Sequence, residues 1–362
     1  MSTKTLRNAN IEWLRLFSIF LITLNHVSSL GINLNEASNV FNTVSALFFV
    51  QGGKFGSQLF LIISAWYLTE GKFRWQRIFS IWFQTFFYGI VLSLADQLFF
   101  GIDLSPLEIL KNALPITGST YWYARSYILL LCLMPFLQKL QDLIHHQKIF
   151  LIICTVLFSL IPTLTFNGLF LQNIPGGIYL MTLLRNETLW FSFVYILIRY
   201  LKQSGTIDKI KHPLSKGCLL YFIMFILTVI IYYYGRSGAV YADLFTKRYT
   251  VFRDLNSPLC LAGGLCLFLY VYRKQTCTIP FINRLSTHAF GVYLFQCNSA
   301  IKPFIWKTIF PFSSWYSSTS AAFPFFALCA VIVIMLMGII FDCLYQFYAK
   351  PVNQLIASIK AS

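Results

Sequence analysis

An arginine and a histidine, eleven residues apart in one apolar run, are the first residues with chemistry to offer. The run reads Ile11-Glu12-Trp13-Leu14-Arg15-Leu16-Phe17-Ser18-Ile19-Phe20-Leu21-Ile22-Thr23-Leu24-Asn25-His26. At about 100° per residue that spacing is close to three helical turns, so Arg15 and His26 project from one face, roughly 16 Å apart along the axis. Ser18, Ile22 and Asn25 lie near the same stripe. A fixed cation at one end can hold an anion, and an imidazole at the other can take and return a proton near neutral pH. A structural reading competes: Arg15 snorkels to the headgroups and His26 is an interfacial residue. An ionisable group in a spanning helix costs roughly 2.5–3.5 kcal/mol on insertion scales. Two of them on one face favour a functional strip.

Other charged residues in or beside apolar runs are candidates of the same kind. Arg74 and Arg77 in Lys72-Phe73-Arg74-Trp75-Gln76-Arg77 can grip phosphate bidentately, or simply set topology as basic loop residues. Arg125 follows Tyr121-Trp122-Tyr123-Ala124; it is either a site residue, with Asp96 as its partner, or the basic neighbour of an aromatic belt. Lys54, Glu70, Arg253, Asp254 and His288 form a second rank. The nine cysteines are scattered, without the spacing of a metal site, and read as small apolar filler. No phosphate-binding glycine loop and no nucleophile elbow is present. Gly263-Gly264 in an apolar run points to close helix packing.

The elements that must carry these residues are membrane helices. Hydrophobic residues make up 57% of the chain and charged residues 11%, with a mean hydropathy of +0.67. A soluble domain carries roughly 25% charged residues, so this chain lacks the charge to cover a wetted surface. Apolar runs of helical length fall near 11–30, 44–69, 78–100, 121–137, 149–166, 188–201, 217–234, 255–272, 286–305 and 321–345. The expected fold is therefore all-α, a polytopic membrane protein of about ten transmembrane helices. The second run is interrupted by Gln51-Gly52-Gly53-Lys54 and reads as a broken or kinked helix; the sixth is short and has a possible earlier start near Ile178. With the N-terminus inside, the inner segments hold about twice as many of the 28 Lys and Arg as the outer ones. That bias places both termini in the cytoplasm, weakened only by the basic 235–254 segment. The net charge of +16 thus reflects orientation, not a nucleic-acid partner. The first run carries Arg15 and no small-residue cleavage site follows it, so it reads as a retained helix. Loops are short, and residues 1–362 read as one integral membrane domain without a soluble module.

These residues together resemble the membrane acyltransferase-3 family, which includes bacterial polysaccharide O-acetyltransferases. An Arg, ten residues and a His on the first helix is its hallmark, matched here by Arg15 and His26. Leu59-Phe60-Leu61-Ile62-Ile63-Ser64-Ala65-Trp66-Tyr67-Leu68 is similar to its Phe-rich segment, with Ala65 where Gly is usual. Arg74-x-x-Arg77 matches its Arg-x-x-Arg loop, and Trp122-Tyr123 with the run to Pro135 its fourth-helix region. Leu285-Ser286-Thr287-His288-Ala289-Phe290-Gly291-Val292-Tyr293-Leu294 resembles its late segment, with Gln296 where a His often stands.

The resemblance implies an O-acyltransferase that moves acetyl from cytoplasmic acetyl-CoA to a hydroxyl of a cell-surface or exported polysaccharide, in the plasma membrane (a bacterial cytoplasmic membrane), with no metal. A polyanionic donor suits the basic inner face. Arg74, Arg77 and Arg15 would hold its phosphates, and the pantetheine arm would run along the first helix. His26 would act as general base on the acceptor, or accept the acyl group covalently. Asn25, Arg125 and Trp122 are candidates to bind substrate, orient the base or stabilise the oxyanion. The rivals are a flippase or exporter of lipid-linked glycans, which predicts matching broken helices, and a glycan polymerase, for which the outer loops are short.

Overall fold

The structure is a computed structural model that describes residues 7–101, 104–118, 120–169 and 174–358. Among these every regular element is helical. In chain order they are α1 (Ala9–His26), α2 (Val40–Leu68), α3 (Trp75–Phe100), α4 (Pro106–Ala113), α5 (Trp122–Leu143), α6 (Gln147–Thr155), α7 (Ile161–Leu164), α8 (Gly177–Leu184), α9 (Glu187–Gln203), α10 (Pro213–Tyr234), α11 (Pro258–Tyr272), α12 (Pro280–Leu285), α13 (Ala289–Cys297), α14 (Phe312–Ser317) and α15 (Phe323–Ser358). Local chemistry sets their ends. The Asn8 side chain accepts from the Asn10 amide at the start of α1, Asn39 accepts from Asn42 before α2, and Asn186 from Thr188 and Leu189 before α9. Proline opens α10, α11 and α12, where its missing N–H costs nothing.

The chain is an all-α polytopic membrane protein. Among the described residues seven segments are long and apolar enough to cross a bilayer: Ala9–Gly31, Val40–Leu68, Trp75–Phe99, Gln147–Leu164, Pro213–Tyr234, Val251–Tyr272 and Phe323–Val352. The other three apolar runs fold differently. Run 121–137 becomes α5, which carries Arg125, Lys139 and Asp142. Run 188–201 becomes the 17-residue α9, and 286–305 becomes short pieces around the nine-residue α13. The earlier start near Ile178 belongs to a separate helix, α8, because the chain breaks at Arg185-Asn186 to cap α9.

Burial separates a centre from a rim. The most apolar window of α2 is 83% buried and that of α1 67%, against 22% for α10. In a bilayer, packing rather than water exclusion holds helices together, and small residues let backbones approach. α2 uses this device against α1. A Cβ on Gly52 would stand 2.6 Å from the Leu21 carbonyl oxygen, on Gly53 2.4 Å from Asn25 Cγ, and on Gly56 2.5 Å from the Ser18 carbonyl oxygen. The Gln51–Lys54 interruption is therefore no break: α2 is continuous, and its glycines are the seat of α1. Gly263 and Gly264 do the same on α11, facing Phe55 and Ile62 of α2.

Two longer-range anchors complete the frame. The buried Asp342 carboxylate on α15 accepts from Tyr88 OH and Gln84 Nε2 of α3, at 2.7 and 2.9 Å, and pairs with His288 Nδ1 at 2.7 Å. Trp190 Nε1 of α9 donates to Gln58 Oε1 of α2 at 3.0 Å.

Candidate active site

Two cavities lie along α1. The inner one, about 490 Å³, is at the N-terminal end of the helix, and Arg7, Arg15, Ser64, Arg77, Gln84 and Thr287 supply its polar lining. The outer one, about 330 Å³, is at the C-terminal end, and Asn25, His26, Lys54, Ser57, Trp122, Arg253 and Lys302 face it. Between them is a throat of about 10 Å³. Ile22, Ser57 and Tyr293 line both the throat and the outer cavity. Phe60, Tyr123 and Phe290 line both the throat and the inner cavity. Arg15, Ile19, Ile22 and His26 therefore mark one continuous strip of α1 from chamber to chamber, at spacings of four, three and four residues, as a helical face requires.

Ser18 is not on that strip. It is fully buried, donates to the Leu14 carbonyl at 2.8 Å, and lies under Gly56 of α2. A hydroxyl in a membrane helix can satisfy itself on its own backbone and so pack against a neighbour. Ile22 and Asn25 do face the outer cavity.

At the inner end, Arg15 Nη1 is 3.6 Å from Glu12 Oε2, and Ser286 Oγ donates to the same carboxylate oxygen at 2.6 Å. The late segment thus fixes the partner of Arg15. Arg77 lines the same cavity. Arg74 does not; it is exposed at the N-cap of α3, one helical turn before Arg77.

At the outer end, His26 Nδ1 is 3.4 Å from Gln296 Oε1, and its ring meets the Trp306 indole edge-on at 5.5 Å. Trp306 Nε1 in turn donates to the Gln296 carbonyl at 3.3 Å. Gln296 is fully buried, so the imidazole leans on a fixed amide. In the tautomer that donates from Nδ1 to this amide oxygen, Nε2 keeps its lone pair. α1 also leaves the regular helix here. Val27–Gly31 is a π-helical turn in contact with a second one, Phe304–Ile309. Such turns recur at functional sites, where they re-aim side chains.

Trp122 and Lys54 meet in the outer cavity, with the Lys54 ammonium 4.0 Å above the indole. Arg125 stands outside both cavities and pairs with Glu187 at 3.9 Å, not with Asp96. Asp96 is buried on α3 and its carboxylate has no hydrogen-bond partner among the described residues. Of the second rank, Lys54 and Arg253 line the outer cavity. Asp254 binds Arg185 and Asn167, Glu70 binds Lys202, and His288 belongs to the Asp342 anchor.

Sequence reasoning missed Tyr123, Phe290 and Tyr293 as throat residues, Lys302 as a cavity cation and Gln296 as the neighbour of His26. In a chain with 18% aromatic residues no ring stands out. Contacts such as that of Gln296 with His26 bridge 270 positions. Among the described residues, no group of three or more His, Cys, Asp and Glu is placed to hold a metal ion.

A search of curated proteins and a search of solved structures each returned no match. The family model for the acyltransferase domain of the acyltransferase-3 family matches residues 8–341, so the chain that carries these two linked cavities is a member of that family of membrane acyltransferases.

Proposed function

We propose that the chain transfers an acetyl group from acetyl-CoA, taken from the cytoplasm at the inner cavity, to a glycan hydroxyl at the outer cavity. The observation that carries this reading is the throat. It joins an arginine-lined chamber to a histidine-lined one, and residues from each side are common to it. The inner lining fits the donor: Arg7, Arg15 and Arg77 converge there and no carboxylate lines the cavity. Guanidinium groups match phosphate oxygens bidentately. The strip from Arg15 to His26 spans roughly 16 Å, which an extended pantetheine arm covers. Arg74, outside the cavity, would meet the donor only as it approaches.

His26 Nε2 takes the proton of the acceptor hydroxyl as its oxygen bonds to the thioester carbonyl carbon. The carbon–sulfur bond then breaks, and the departing thiolate receives the proton. The products are an ester and a free thiol, and His26 is restored. A positioned base of this kind contributes roughly 10²–10⁴-fold. Asn25 lines the outer cavity with its amide packed against Gly53 of α2 and its Nδ2 donating to Ser29 Oγ at 3.3 Å. Trp122 offers a ring face to a sugar. The same reading puts the inner cavity and both termini in the cytoplasm, and the site in the cytoplasmic membrane of a bacterial envelope.

The test compares envelope glycans of cells with and without the gene by mass spectrometry. A mass difference of one acetyl group per repeat, lost again in His26→Ala cells with normal protein level, is expected. Identical glycans in the two strains would contradict the proposal.

A further inference from the structure

Three cations share the outer cavity with His26. Lys54, Arg253 and Lys302 line it, and no carboxylate does. Among the described residues none has a carboxylate at ion-pair distance, although Asp254 acts on Lys54 and Arg253, and Glu187 on Lys54, from further off. Lys54 sits on the face of Trp122. Arg253 Nη1 donates to the Val50 carbonyl at 2.9 Å, while its buried Nε has no partner among the described residues. The Lys302 ammonium has no side-chain partner among the described residues. The acids that belong to the same end of the molecule are taken by other arginines: Asp254 by Arg185 at 3.3 Å, Glu187 by Arg125 at 3.9 Å.

Buried charge that is only partly compensated is costly, and a chain keeps it where a ligand completes the pairing. An oxyanion forming at the acyl carbon needs one or two donors. Three cations of different reach, on three separate segments, exceed that need. On the reading above, the donor's phosphates do not account for them, because the arginines of the inner cavity serve that role at the other end of the throat.

We infer that the acceptor is anionic: the hydroxyl acylated at His26 belongs to a sugar that carries a carboxylate, or carries or adjoins a phosphate, and that Lys54, Arg253 and Lys302 bind this charge. This rests on the acyltransferase reading above and narrows its substrate class. Arg253, with its planar fork and permanent charge, is the anchor. Lys302 lies on the segment between α13 and α14.

The test locates the acetyl group. Envelope glycans from cells with and without the gene are depolymerised under conditions that keep esters, and fragments are sequenced by tandem mass spectrometry. Gene-dependent acetyl on a uronic acid, or on a residue that bears or adjoins phosphate, is the expected result, and the fragment masses separate the two sources. Acetyl confined to uncharged residues of an uncharged glycan overturns the inference and leaves the acyltransferase reading standing. No gene-dependent acetyl contradicts that reading, and the inference with it. A second arm uses membranes bearing the full chain and the fragment so identified. Lys302→Gln is expected to raise the KM for the charged acceptor about tenfold with donor KM unchanged, and Lys302→Arg to restore it. Unchanged acceptor KM in Lys302→Gln, Lys54→Gln and Arg253→Lys alike overturns the inference.

Discussion

The two chambers, each lined by cations and by no carboxylate, differ in how those cations are held. In the inner one Arg15 is tied to Glu12, which Ser286 also holds, and Arg77 stands at the open start of α3. In the outer one Lys54, Arg253 and Lys302 face the cavity without a carboxylate. The difference teaches what each end must do. On the proposed function, a chamber that binds a charged donor and then releases the spent thiol gains from an arginine already held by a carboxylate. A chamber that must capture a bulky acceptor from the far side and orient one hydroxyl gains from charge kept in reserve. Between them, apolar and aromatic side chains keep the two electrostatic regimes apart.

The comparison breaks most sharply at His26. His26→Ala is expected to leave membrane insertion and protein level intact and to lower acyl transfer by roughly 10²–10⁴-fold, measured as acetyl incorporated into glycan. His26→Gln should fare no better, because an amide cannot take the proton. Wild-type acetylation in His26→Ala would return the outer cavity to a structural role.

At the other chamber the effect moves from rate to donor affinity. Arg15→Ala with Arg77→Ala should raise donor KM by about tenfold to a hundredfold, at the scale of hydrogen bonds to charged groups, and leave acceptor KM alone. Arg74→Ala, outside the cavity, should do far less, and equal effects of Arg74→Ala and Arg77→Ala would show that the cavity does not define the donor site. Steady-state kinetics with each substrate varied in turn separates these outcomes.

Gln296 sharpens the outer design. Gln296→Leu keeps the bulk but removes the oxygen that faces Nδ1 of His26. Turnover should fall about tenfold, with a shifted pH–rate profile and little change in either KM, and Gln296→Asn should recover part of it. The smallest effect is expected at Arg125, whose pairing with Glu187 is half exposed and outside both cavities. Arg125→Gln should change activity and thermal stability by less than about 1 kcal/mol. A large loss of acyl transfer there would mean that the site extends beyond the two cavities.

Particular residues show how far the sequence reached. The strip from Arg15 to His26 was legible because a helix repeats its face at eleven residues and two ionisable groups in an apolar run have few bland explanations. Ser18 lies about 60° round the helix from Arg15, on the stripe that meets α2, where its hydroxyl satisfies itself on its own backbone. The glycines at 52 and 53 read as a break because glycine weakens helices in water; in a bilayer the same absence of a side chain lets α1 come close. Hydropathy located all ten apolar runs but not their lengths as helices: α13 stops at Asn298, and α9 begins where Asn186 caps it. The Glu187 partner of Arg125 lies in another helix, and the throat is assembled from α1, α2, α5 and α13. Pairings between distant helices leave no trace in local periodicity.

The central claim is that the acyl group enters at one face of the membrane and leaves at the other. Purified full-length chain in sealed vesicles, with labelled acetyl-CoA supplied on one side only and glycan acceptor on the opposite side only, tests this directly. Labelled ester on the acceptor, formed only when the donor faces the end that carries Arg15 and Arg77, is the predicted result. Labelled ester only when donor and acceptor share a side would contradict the account.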